Sequence, residues 1–234
     1  MSRFIELYRT KGVLRRYLSY DARYKITSQL SLLGRHGRAP EGASILNLGC
    51  GFSEILDHCR PSSYVGIDIV ADAGKHIERH AEPSFQFVPL QDKESLRPGF
   101  EIIFASHVLE HVKEPHETVE WLTGLLSFKG VLLIALPLNE IFEDPEHLFR
   151  FTPEGIHQLL GDLKILETRE CDLWGRYWAC IKGGVGVWGS LPGWIRSIIA
   201  NIPAFVPFKI WELIERVLSR SIPRSQLLVL AEKT

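Results

Sequence analysis

Cysteine is scarce. The 234-residue chain has four, Cys50, Cys59, Cys171 and Cys180, and none is paired as C-x-x-C. Arg3, Glu6, Arg9 and Lys11 interrupt the N-terminus where a signal peptide would be apolar. Free thiols in a reducing cytoplasm are therefore expected. Long apolar runs are also missing. In the Trp-rich region near the C-terminus, Gly183–Ile195 and Ser197–Phe208 stay uncharged for only 13 and 12 residues. Both fall short of the roughly 20 that span a bilayer, and proline and glycine interrupt them. A third absence is more specific. The dinucleotide fingerprint G-x-G-x-x-G needs a glycine where this chain has Glu54. An acid facing a pyrophosphate is electrostatically unfavourable, which opposes a nicotinamide-dependent oxidoreductase.

Net charge is nearly absent at −1, but it is unevenly spread. Residues 1–38 carry +7 and residues 169–224 carry +4, which leaves −12 on the rest. The middle of the chain is acidic, so nothing supports nucleic acid as a partner. Composition is otherwise that of an ordinary globular protein, 45% hydrophobic and 24% charged. The length suits one α/β domain of about 150 residues with appendages.

The chain is organised around Ile45-Leu46-Asn47-Leu48-Gly49-Cys50-Gly51-Phe52-Ser53. Apolar residues alternating into two closely spaced glycines predict a buried strand and a tight turn, with a helix over Glu54–Cys59. Glycine lets backbone approach a ligand where a Cβ would collide, and a helix start offers free N–H groups. Seventeen residues past Gly51, Asp68 ends a second strand, Tyr64–Ile69. A carboxylate there suits the two hydroxyls of a ribose.

Strands are further expected at 85–88, 101–105, 131–135, 163–166 and 226–231. Helices are expected over 3–33, over 71–80, between Pro115 and Lys129-Gly130, and after Thr152-Pro153. Alternation of this kind predicts a Rossmann-like sheet of seven strands, mostly parallel, with helices on both faces and the last strand antiparallel. Its ligands bind at the carboxyl ends of the strands. The organisation that follows is a basic helical cap (1–38), a core (39–168 with 225–234) and an apolar insertion (169–224). That insertion holds five of the six tryptophans: Trp174, Trp178, Trp188, Trp194 and Trp211.

Leu48-Gly49-Cys50-Gly51-Phe52-Ser53 resembles the first motif of class I S-adenosylmethionine-dependent methyltransferases, an acid followed by x-G-x-G-x-G. Asn47 stands for the acid and Ser53 for the third glycine. Ser106-His107-Val108-Leu109-Glu110-His111-Val112 and His147-x-x-x-Phe151-Thr152-Pro153 are similar to later segments of that family, whose members include ubiquinone-pathway enzymes. The resemblance implies a methyl donor, S-adenosylmethionine, held by Asn47, Gly49, Cys50 and Gly51 at its methionine end. It places Asp68 on the ribose, Ile69 beside the adenine, and Leu90, Gln91 or Asp92 on the adenine edge. Ser106 and His107 would border the reacting methyl.

A hydroxyl nucleophile benefits from a base, and His147, His107 and His111 are the candidates, with His147 first because substrate should enter past its loop. His107-x-x-Glu110-His111 matches a zinc-binding spacing, but a zinc site needs those ligands on one helix, and Lys113-Glu114-Pro115 cuts such a helix short. No metal is expected. O-methylation of a small molecule, glycan or lipid-linked intermediate is the leading reading. A catalytically silent S-adenosylmethionine-binding module and the oxidoreductase remain as alternatives. The tryptophans and cations of 169–224 suit peripheral contact with the inner face of a membrane, a lid over a greasy acceptor, or a packing insertion.

Overall fold

The computed structural model describes residues 20–138, 146–171, 189–201 and 225–234, with the single positions 210 and 213. Helix α1 (Tyr20–Arg35) precedes strand β1 (Ser44–Leu48), a single 3-10 turn (Glu54–Asp57) and β2 (Ser63–Asp68). A 3-10 turn (Ala71–Ala73) leads into the short α2 (Gly74–Glu78), then β3 (Phe85–Pro89) and a 3-10 segment (Leu90–Ser95). β4 (Phe100–Ser106), α3 (Pro115–Leu125), β5 (Leu126–Pro137), α4 (Pro153–Leu159) and β6 (Lys164–Cys171) follow, and α5 (Gly193–Asn201) and β7 (Gln226–Glu232) complete the order.

The seven strands form one sheet in the order β3-β2-β1-β4-β5-β7-β6. Parallel pairing joins β3 through β5, and β7 runs antiparallel between β5 and β6. The expected architecture is thus present. Strand order reverses between β1 and β4, so the crevice outside the carboxyl ends of these two strands is the topological switch point. Val131–Leu136 and Leu227–Ala231 are almost fully buried, as continuous apolar runs in the middle of a covered sheet should be. Leu109, Leu122, Leu126, Ile156 and Leu160 pack with them into one core.

Four local expectations are corrected. Glu54–Cys59 is not a helix; Ser53 takes a left-handed conformation (φ 51°), and one 3-10 turn follows it. Residues 71–80 hold a 3-10 turn and a five-residue helix instead of one continuous helix. The helix expected to end at Lys129-Gly130 stops at Leu125, because the chain joins β5 there. Lys129 (φ 59°) and Gly130 form a kink within that strand, and a Cβ on Gly130 would lie 2.8 Å from the Phe100 carbonyl oxygen. The sixth strand runs on to Cys171, past the expected 166. Of the helix expected over 3–33, the part before residue 20 lies outside the described residues, and the described part continues to Arg35.

The chain divides into two compact units, residues 29–171 with 224–234, which hold the sheet, and residues 1–28 with 172–223. In the second, α5 carries Trp194, which is 67% exposed. Trp174, Trp178, Trp188 and Trp211 lie outside the described residues. No helix among the described residues is long and apolar enough to cross a membrane.

Thr152 caps α4 as its sequence suggests, its Oγ1 accepting from Gly155 N at 3.0 Å with Pro153 in the first turn. Thr152→Ala should lower stability by about 1 kcal/mol, read from the midpoint of urea unfolding at unchanged slope.

Candidate active site

The glycine turn leaves β1 with Gly49 at φ 69° and Gly51 at φ 50°. Gly49 N and Cys50 N both donate to the Ile67 carbonyl (2.8 and 3.0 Å), which ties the turn to the end of β2. A Cβ on Gly49 would strike Val108 Cγ2 at 2.4 Å, so this glycine is needed for packing as well as for its dihedral. Gly51 differs, since a Cβ there would meet nothing within 4 Å. The space in front of Gly51 is thus open.

Asp68 sits beside that space with its carboxylate spread over two backbone donors. Oδ2 accepts from Gly51 N and Oδ1 from Val70 N, both at 2.9 Å. Each oxygen keeps a lone pair for a further donor, such as a ribose hydroxyl. Ile69, the next residue, is 65% exposed, an apolar surface at the position expected to flank an adenine. Leu90, Gln91 and Asp92 open the 3-10 segment after β3, Leu90 half-buried and the other two exposed. An adenosine therefore has an apolar face, a carboxylate and a glycine turn along one edge of the sheet, and the residues present fit it.

Two departures from the familiar glycine motif are physically joined. Asn47 Nδ2 donates to the hydroxyl of Tyr64 (2.9 Å), and that hydroxyl donates to Ser53 Oγ (3.2 Å). Tyr64 and Ser53 are both fully buried. Burial pushes the Tyr64 phenol far above its ordinary range, so it stays neutral and hydrogen-bonding throughout the accessible pH. Burial also drives the Cys50 thiol up to about 12, helped by the nearby Asp68 charge, so Cys50 is a neutral packing residue and not a nucleophile.

At the end of β4, Ser106 Oγ accepts from Gln29 Nε2 on α1 at 2.9 Å. Gln29 is only 4% exposed and had no role in the sequence reading. Its signal was a buried-side glutamine between Ile26, Leu30 and Leu33, where the helical period calls for an apolar residue. His107 adopts φ 55°, and its N–H donates to the Ala135 carbonyl at 2.8 Å. Its ring is engaged at both nitrogens, by Gln226 Nε2 at Nε2 (3.2 Å) and by the buried Glu110 carboxylate 3.3 Å from Nδ1.

His111 and His147 meet instead, their rings 4.7 Å apart and edge to face. His111 Nδ1 lies 3.0 Å from the Glu146 carbonyl oxygen. Residues 107–113 form turns without a helix, so a helical H-x-x-E-H arrangement is absent. Leu148 and Phe149, next to His147 in the chain, are 54% and 38% exposed.

The chain matches the family described as "Methyltransferase domain" over residues 15–181. Among curated proteins it is similar to a ubiquinone biosynthesis O-methyltransferase of Glaesserella parasuis serovar 5, 28% identical over 135 residues, covering 50% of this chain and 57% of that protein. Among solved structures it is similar to a magnesium protoporphyrin IX methyltransferase of Synechocystis PCC 6803 with bound SAH. There the TM-score is 0.59 at 12% identity, covering 100% of this chain and 95% of that one. The cyclase SpnF shares the fold too, with a TM-score of 0.53 at 15% identity over 89% of this chain and 78% of its own. A fold shared with a cyclase places the weight of any functional argument on the site itself.

Removing the hydroxyl that joins Asn47 to Ser53 should be costly, because it takes a partner from the buried Ser53 hydroxyl and from the half-buried Asn47 amide. Tyr64→Phe should lower unfolding stability by about 1–3 kcal/mol in urea titrations.

Proposed function

Because the chain belongs to the methyltransferase-domain family, we propose that it transfers the methyl group of S-adenosylmethionine to an oxygen atom of a small-molecule or lipid-linked acceptor. The observation that carries this reading is the coincidence, at the switch point of the sheet, of the open turn at Gly51, the two-pronged Asp68 carboxylate and the exposed Ile69. When bound, the donor supplies an electrophilic methyl on a sulfonium. The protein's tasks are then alignment and exclusion of water. Gly49, Cys50 and Gly51 take the methionine end, Asp68 the ribose, Ile69 and the start of the Leu90–Ser95 segment the adenine. Ser106, fixed by Gln29, and His107 border the methyl. His147 and His111 stand on the acceptor side, as the histidines that meet there.

Oxygen is favoured as the acceptor atom by the curated relatives, which are O-methyltransferases of ubiquinone biosynthesis. The matched part spans 57–60% of the length of those relatives, so their acceptor is not carried over. The exposed Leu148 and Phe149 beside His147 favour an acceptor with a substantial hydrocarbon or aromatic part.

Calorimetry with S-adenosylmethionine and its demethylated product tests the reading. Wild-type protein should bind both, and Asp68→Ala should weaken both by roughly 1.5–3 kcal/mol, as for a hydrogen bond to a charged group. Gly51→Val, strained at φ 50° and filling the open space, should abolish binding while circular dichroism stays unchanged. Tight binding of a nicotinamide dinucleotide in place of these ligands would overturn the proposal. Binding without turnover of any acceptor would favour the silent module.

The second part of the proposal concerns residues 169–224, which we assign to contact with anionic lipid. Exposed Trp194 on α5 and the +4 charge of the segment support it, as does the +7 of residues 1–38. Sedimentation with vesicles should show binding that rises with anionic lipid content and fades with salt. Protein that stays in the supernatant under all conditions would exclude this contact.

A further inference from the structure

Glu110 is the most unusual residue of the sheet edge. Its side chain is fully buried, and neither carboxylate oxygen has a hydrogen-bond partner. His107 Nδ1 comes within 3.3 Å of Oε1, near enough for attraction between charges but not aligned for a hydrogen bond. A buried carboxylate without donors is unfavourable unless a cation compensates it. Two imidazoles lie beside it. One ligand-capable atom from each of Glu110, His111 and His147 falls within 4.8 Å of the others.

Backbone bonds hold the three together. Leu148 N and Phe149 N both donate to the Glu110 carbonyl oxygen, at 2.7 and 3.2 Å, which fastens the His147 loop onto the turn after β4. The Glu146 carbonyl then takes the Nδ1–H of His111 at 3.0 Å. That contact fixes the tautomer with the lone pair on Nε2, the way a metal-binding histidine is oriented by a carbonyl on its other nitrogen.

We propose that Glu110, His111 and His147 bind a divalent first-row cation of the zinc or manganese kind, which holds the acceptor hydroxyl for methylation. The sequence reading expected no metal because one helix would have had to carry His107, Glu110 and His111. The fold assembles a different trio from two loops, with His107 held between Gln226 and Glu110. Two imidazoles and one carboxylate form a three-ligand set that leaves coordination positions open. Bonds of about 2.0–2.2 Å would draw the donors closer by rotation of the imidazoles.

An acceptor hydroxyl on the open position loses its proton to solvent more readily than a free one. The resulting oxygen anion attacks the methyl carbon, the carbon–oxygen bond forms as the carbon–sulfur bond breaks, and the electron pair of that bond stays on sulfur. This consequence rests on the methyltransferase reading; cation binding itself does not.

The test uses tag-free full chain, stripped with chelator and titrated with zinc, manganese or magnesium chloride alone. Calorimetry should show one equivalent of zinc or manganese per chain, with manganese confirmed by electron paramagnetic resonance. Magnesium, which prefers an all-oxygen shell, should bind more weakly. Glu110→Gln and His147→Ala should each weaken the cation by at least about 10–100-fold. His147 sits on a surface loop, so its variant tests the site even if the buried Glu110→Gln fails to fold. Absence of saturable binding, or binding that His147→Ala leaves unchanged, overturns the cation site. Titration of the same samples with S-adenosylhomocysteine separates the two ideas. Cofactor binding without cation binding removes only this inference, and cation binding without cofactor binding removes only the methyltransferase reading.

Discussion

The sheet edge depends on one carboxylate. Asp68 accepts from Gly51 N with one oxygen and from Val70 N with the other, so it joins the turn after β1 to the exit of β2. Charge-assisted bonds to backbone N–H are stronger than neutral ones, and here they are spent on two loops at once. The left-handed glycines make the approach sterically possible, and the Ile67 carbonyl, which accepts from both Gly49 N and Cys50 N, completes the clamp. A ligand at Asp68 would meet backbone already tied down by these bonds, with little conformational entropy left to lose there.

Beneath the clamp, the Asn47–Tyr64–Ser53 chain replaces the usual acid and glycine with neutral groups. The amide of Asn47 supplies a donor for the tyrosine hydroxyl, which a carboxylate could not. Tyr64 is the residue that makes the two departures compatible, and it comes from the neighbouring strand, in register with Ile45.

Much of this was legible in the chain because it was local. Short apolar runs located every strand of the sheet, and the glycine spacing with Asp68 pointed to one of its edges. Thr152-Pro153 announced the cap of α4 and its geometry agrees. What sequence could not supply was long-range. Nothing in the neighbourhood of Gln29 points to Ser106, 77 positions away, and nothing near Gln226 points to His107. Glu110 was visible only as part of a motif, and its burial and the convergence of His111 and His147 follow from the docking of a distant loop. The helix misplaced over Glu54–Cys59 has a local cause, since helical propensity there yields to the left-handed Ser53. The kink at Lys129-Gly130 looked like a helix end because glycine marks both kinds of boundary.

The position of β7 carries a consequence for how the molecule forms. This strand lies between β5 and β6, antiparallel to both, and β6 has no other strand neighbour among the described residues. Until β7 arrives, β6 has nothing to pair with, and β5 presents the apolar run Val131–Leu136 as an open edge. More than fifty residues of the other unit separate β6 from β7 along the chain. The sheet therefore closes through contacts of long sequence separation, which slows folding, and the waiting edge is a template for pairing with another chain. Expression at high concentration or temperature will expose this weakness first, as aggregation from a nearly complete sheet rather than loss of activity in a folded one.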